Sequence, residues 1–330
     1  RTVGDLPPFD SGLAFQLYEI LVAPVKALLQ DTRLLIIIPD GPLFDLPFGA
    51  LLSAPPKDDV SGFEAYRRFP WLVRKFAIAI FPSATAAKGN SSKRPVPDQR
   101  KPFLGFGNPI ISDDDRQDPK KRQLNQMDPI PLSEDQLRIM AGKLKAGRDS
   151  FFIRHRATES RLRAADPSQY RIIAFATHGV APEEIDGLYE GAILLSPSDG
   201  EGPENDGLLT ASEVSSLKLD TEWVLLLACN SGAALGSADD QSHPGLAKAF
   251  LNAGSKSVLA TYWQTYSEVV LDMVRVLFTE LSNNPSIDKA EALRRAMVSL
   301  LEDKSLSFRS HPMIWATFFV IGEGGPLPSL

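Results

Sequence analysis

The chain has 330 residues, 43% of them hydrophobic, enough to build a real core in one large domain or two small lobes. Its net charge of −6 excludes the basic face of a nonspecific nucleic-acid binder. One cysteine excludes an internal disulfide, and with four scattered histidines it offers no zinc-ligand spacing, so no metal is expected.

Leu13, Leu17, Ile20, Leu21, Val25, Leu28 and Leu29 recur at helical spacing and predict a helix over 13–30. Asp10 or Ser11 would cap it, and Pro24 would kink or split it. The run Leu34 to Ile38 predicts a buried strand that stops at Pro39-Asp40-Gly41-Pro42. Two short strands follow at 76–81 and 103–106. The polar, Pro-containing stretch 88–102 and the charged stretch 112–131 have little to bury, and the region 108–132 is expected to be a mobile loop. Ser133 with Gln136 three residues on has the pattern of a capping box at a helix start.

The second half alternates. Strands are predicted at 171–177, 192–195, 223–228, 256–260 and 315–321, and helices at 157–165, 244–253, 268–281 and 287–302. Such alternation predicts a mostly parallel sheet covered on both faces, with sites beyond the carboxyl ends of the strands. No apolar run is long enough to span a bilayer, so no membrane partner is expected. Residues Arg1 to Asp5 lead into no apolar signal region. A first residue other than methionine suggests a part excised from a longer protein. An unpaired cysteine suits a reducing compartment, and a cytoplasmic location is expected.

Two strand exits carry reactive groups. Ile172 to Ala176 runs into Thr177-His178-Gly179, and Leu225-Leu226-Leu227-Ala228 runs into Cys229-Asn230-Ser231-Gly232. A thiol becomes a nucleophile as its thiolate, and a neighbouring imidazole can take its proton. The N–H groups of Gly179 and Cys229 are candidate oxyanion donors. Taken alone, Cys229 would be a small buried hydrophobe, and it is His178-Gly179 that raises it above that. His155, between Arg154 and Arg156, reads as solvated surface. His243 and His311, each before a proline, read as structural. Gly105-Phe106-Gly107 lacks the third glycine of a dinucleotide site, and neither a phosphate-binding loop nor a serine-hydrolase elbow is present.

Five segments in order carry a resemblance. They are Ile38-Pro39-Asp40-Gly41-Pro42-Leu43 with Leu46-Pro47-Phe48, Ala176-Thr177-His178-Gly179, Gly207 to Val214, Gly245 to Gly254, and His311 to Gly322. Over residues 13–323 the chain resembles a CHAT domain, a caspase-like peptidase found beside TPR repeats and related to separase and caspases. The resemblance implies a caspase-like three-layer α/β/α sandwich with a mostly parallel central sheet. It places a smaller pseudo-catalytic α/β lobe at residues 1–147 before a catalytic lobe at 148–330. It further implies cysteine-endopeptidase activity on a protein partner through an acyl-enzyme on Cys229, with His178 as general base and acid and no cofactor. Adjoining TPR or other repeats in the full-length chain, or an activator, would gate it.

In the family, the strand after the nucleophile helix ends in a tryptophan followed by acidic residues that read a basic side chain. Here Trp263 is followed by Gln264-Thr265-Tyr266-Ser267 before Glu268. Trp263, Glu268, Asp186 and Asp206 remain the candidate substrate-binding residues. The acidic stretch 182–206 reads equally as a solvated loop or as a specificity or autoinhibitory loop over the cleft. The altered stretch also admits a catalytically silent caspase-like interaction module, and, more weakly, a small-substrate thiol amidase.

Overall fold

The computed structural model describes residues 6–55, 62–83, 100–110, 123–124, 127–198, 205–228 and 245–327. Cys229, the turn after it and His243 lie outside the described residues, as does most of the charged loop.

The strands are β1 (Leu34–Ile37), β2 (Ala77–Ile80), β3 (Lys101–Gly107), β4 (Phe151–Ile153) and β5 (Tyr170–Ala176). After them come β6 (Gly179–Val180), β7 (Ala192–Leu194), β8 (Leu208–Thr210), β9 (Trp223–Leu226), β10 (Ser257–Thr261) and β11 (Phe318–Gly322). The helices are α1 (Ser11–Leu21), α2 (Leu132–Lys143), α3 (Glu159–Ala164), α4 (Ala211–Ser216), α5 (Leu246–Asn252), α6 (Ser267–Asn283), α7 (Lys289–Glu302) and α8 (Pro312–Trp315).

Eight strands form one sheet in the order β1-β2-β11-β10-β9-β5-β3-β4, and β6-β7-β8 form a second, antiparallel one. Within the large sheet only β10 and β11 run antiparallel. Strands on both sides of residue 147 share this sheet. β1 and β2 join it through β11, while β3 lies between β5 and β4.

The period of two along each strand sorts its side chains into two layers. Ile172, Ala174 and Ala176 of β5 enter a core with α2, α6 and α7, whereas Ile173 and Phe175 enter a core with α3, α4 and α5. Trp223 and Leu225 of β9 follow the first set, Val224 and Leu226 the second. The predicted α/β/α sandwich is thus the observed one. A fully buried leucine- or phenylalanine-sized side chain contributes about 1.5–3 kcal/mol, so these double-faced strands are where stability is concentrated.

The N-terminal helix differs from its predicted stripe. α1 is capped by Asp10, whose Oδ1 accepts the Leu13 N–H at 2.8 Å, but it buries Ala14 and Tyr18. Leu13, Ile20 and Leu28 are left 51%, 69% and 80% exposed. For Leu28 the reason is the break near Pro24. The chain turns by 66° into a 3₁₀ segment, Ala23–Leu29, and three residues per turn cannot continue a 3.6-residue stripe. Strand β1, predicted to be buried, is the edge strand, so Ile36 and Ile38 are exposed. The predicted strand 315–321 begins at Phe318, because Trp315 ends the short helix α8. Among the described residues no single helix is long and apolar enough to cross a membrane; the bent pair Ser11–Leu21 and Ala23–Leu29 passes that test only by length and composition.

Candidate active site

β5 and β9 are parallel neighbours, with Ala174 beside Leu225 and Phe175 beside Leu226, a constant offset of 51 residues. His178 and Cys229 are separated by that same 51 residues. His178 stands two residues beyond the end of β5 and is pinned from both sides. The Thr177 hydroxyl donates to the Leu194 carbonyl at 2.7 Å, and the Leu194 N–H donates to the His178 carbonyl at 2.9 Å. These bonds join the exit of β5 to β7 of the small sheet.

The His178 ring donates its Nε2–H to the main-chain carbonyl of Asp128 at 2.7 Å. A carbonyl can only accept, so the neutral ring carries its proton on Nε2 and keeps Nδ1 as the basic nitrogen. An imidazole held in this way by a third group can accept a proton at Nδ1. A main-chain carbonyl leaves no side-chain signature, which is why Asp128 could not be picked from the sequence.

A pocket of about 170 Å³ lies beside His178. Ala176, Leu227 and Ala228 contribute strand-end walls, Val270 of α6 closes one side, and Gln136, Thr261, Gln264, Thr265 and Ser267 supply polar groups. The Thr261 hydroxyl donates to the Ala228 carbonyl at 2.8 Å, which ties β10 to the segment leading into Cys229. Helix α2 reaches this end of the sheet because Gly107 permits it. A Cβ there would lie 2.8 Å from the Ala176 carbonyl oxygen and 2.9 Å from Leu137.

Gln136 is a residue that sequence reasoning misassigned. The capping box with Ser133 does not form: the helix starts after Pro131 without a side-chain cap, and the Ser133 hydroxyl is buried without a partner. Gln136 is instead 2% exposed and lines the pocket. The available signal was its place among Leu137, Met140 and Ala141 on the buried stripe of α2, where a polar side chain needs a purpose.

The other candidates are dispersed. Gly179 opens β6 immediately after His178. Trp263 donates its indole N–H to the Met313 carbonyl at 2.9 Å and packs on the core, outside the pocket lining. Glu268 is exposed in the first turn of α6. Asp186 is exposed, with its N–H donating to the Gln123 side chain at 3.0 Å. Asp206 accepts from the Leu208 N–H at 2.8 Å at the start of β8. His311 is buried, its Nε2–H donating to the Pro7 carbonyl and its Nδ1 accepting the Met313 N–H, as a structural histidine does. Burial holds its pKa below the ordinary value. His155 is exposed on the 3₁₀ turn Arg154–Arg156.

Near the small sheet sits a buried carboxylate. Glu159, 1% exposed, accepts the Gly207 N–H at 3.2 Å and pairs with Arg163 at 3.3 Å. Burial, reinforced by the nearby Glu213 and Asp206 charges and only partly opposed by Arg163, pushes its pKa up to about 7.

Several solved structures are similar to this chain in fold. A chain of the complex between the pro- and mature domains of Porphyromonas gingivalis RgpB aligns over 96% of this chain and 69% of its own, with 11% identity and a TM-score of 0.51. The Arg-specific cysteine proteinase gingipain R (RgpB) aligns over 96% of this chain and 67% of its own, with 12% identity and a TM-score of 0.48. The Saccharomyces cerevisiae separase–securin structure aligns over 75% of this chain and 14% of that chain, at 13% identity and a TM-score of 0.43. At these identities the likeness concerns the fold, which is that of the caspase-like cysteine peptidases. No curated protein sequence matches the chain. The CHAT domain family model matches residues 12–323, and the chain therefore belongs to the CHAT domain family.

Proposed function

We propose that this chain is a cysteine endopeptidase that cuts a protein partner, with Cys229 as nucleophile and His178 as general base and acid. The observation that carries the reading is the β5–β9 register, whose offset equals the separation of the two residues, together with the His178–Asp128 bond. In this reading Nδ1 of His178 takes the thiol proton as the sulfur attacks the scissile carbonyl carbon. The carbonyl electron pair moves to oxygen, held by N–H groups of Gly179 and Cys229. The imidazolium, steadied by the Asp128 carbonyl at Nε2, then gives its proton to the leaving amine. Water, deprotonated at the same nitrogen, attacks the thioester and returns the free thiol. Adjoining repeats of a longer chain, or an activator, would gate access to the site.

The test compares wild type with Cys229→Ala and His178→Ala on a peptide library and on candidate protein partners. Cleavage is expected to fall to background in the first variant and by about 10²–10⁴-fold in the second. Equal cleavage by wild type and Cys229→Ala would end this reading in favour of a silent interaction module, for which the uncharged stretch Gln264–Ser267 is the motivation.

A further inference from the structure

Resting on the peptidase reading, we infer that the pocket beside His178 selects an uncharged carboxamide side chain, glutamine or asparagine, at the residue whose carbonyl is attacked (P1). The pocket borders both His178 and Ala228, the residue before the proposed nucleophile. In this reading the P1 side chain of a peptide attacked by Cys229 occupies this cavity. At about 170 Å³ the cavity is smaller than the roughly 300–1,000 Å³ of sites that engulf whole small molecules, and suits one side chain.

Its chemistry separates three classes of side chain. Among the described residues that line it, Asp128 is the sole acidic one; it is exposed and engages His178 through its main-chain carbonyl. Arginine or lysine would lose water there without a buried counter-charge, which is unfavourable. An apolar side chain meets a different obstacle. Gln136 is 2% exposed, and its carboxamide Nε2 reaches the Ser267 carbonyl only at 3.5 Å, the outer limit of a hydrogen bond. The Thr265 hydroxyl oxygen is buried without a partner. Filling the pocket with leucine or methionine would leave the Thr265 hydroxyl without a partner and Gln136 with nothing better than its 3.5 Å contact. A carboxamide offers one acceptor and two donors, so it can meet an amide and a hydroxyl together. Sites built to hydrogen-bond a substrate reject the analogue that lacks the group far more strongly than apolar pockets reject an extra one.

The experiment has two arms on the full chain. In the first, peptides identical except for a C-terminal Gln, Asn, Leu, Met, Arg or Lys are titrated onto Cys229→Ala, so that binding is read without turnover. Gln or Asn is expected to bind at least about tenfold more tightly than Leu or Arg, the factor that one unpaired buried group represents. In the second, fluorogenic substrates with the same P1 residues are turned over by wild type, Gln136→Glu and Thr265→Val, with thermal melts to confirm folding. Gln136→Glu is expected to shift the preference toward Lys and Arg. The near-isosteric Thr265→Val is expected to narrow the margin of Gln over Leu. Equal or tighter binding of Leu, Met, Arg or Lys to Cys229→Ala overturns the inference, as does a wild-type kcat/KM order led by any of them. A carboxamide preference in binding with no Cys229-dependent turnover upholds the pocket and overturns the peptidase reading instead.

Discussion

Replacing Glu159 by glutamine should remove a pH-dependent loss of stability that belongs to that one carboxyl group. The side chain is 1% exposed, bonded to the Gly207 N–H and Arg163, and faces the charges of Glu213 and Asp206. Its pKa rises from 4.5 to about 7 on folding. Below pH 4.5 the proton is bound in both states and the native form carries no penalty. Between pH 4.5 and 7 the unfolded chain ionises while the native one holds its proton, so stability falls as pH rises. Above 7 both are ionised and the loss is complete. A shift of that size corresponds to about 3 kcal/mol, at 1.36 kcal/mol per pH unit. Glutamine keeps a carbonyl oxygen for Gly207 but does not titrate. Urea unfolding of wild type and Glu159→Gln at pH 4.5, 6 and 8 isolates the group together with its coupling to Glu213, Asp206 and Arg163, because titrating residues that do not interact with it cancel in the difference. The variant should gain about 3 kcal/mol on wild type between the first and last pH. A difference that stays constant across this range would refute the reasoning. The result bears on the site: Gly207 leads into β8, which pairs with β7, the strand that pins His178.

Two further perturbations test the scaffold. Gly254 has φ of +112°, and a Cβ would stand 2.2 Å from the Leu219 carbonyl oxygen, so Gly254→Ala should destabilise the chain by about 3 kcal/mol or more in a denaturant titration. Phe175 is fully buried, with Phe106 and Phe250 ring centroids at 5.7 and 5.4 Å; Phe175→Ala should cost about 3–5 kcal/mol by the same measurement and shift the exit of β5 enough to lower turnover.

Local pattern was enough to recover the layered architecture. Runs such as Ile172–Ala176 and Leu225–Ala228 are apolar on both faces, and only a strand covered on both sides can bury such a run. Parallel strands then put the exits of both runs at the same end of the sheet, with His178 following the first. Helices α6 and α7 were legible for the same reason: their stripes face a continuous core. What local pattern could not supply depended on partners distant in sequence. Ile36 and Ile38 look like core residues, and only the strand order makes β1 an edge. Gln136 looks like half of a cap, and only the close packing of α2 on Gly107 carries it to the pocket. The group that orients His178 is the carbonyl of Asp128, 50 residues away. Every residue has such a carbonyl, so its identity as a partner is a matter of position in space, and position is decided by the whole fold.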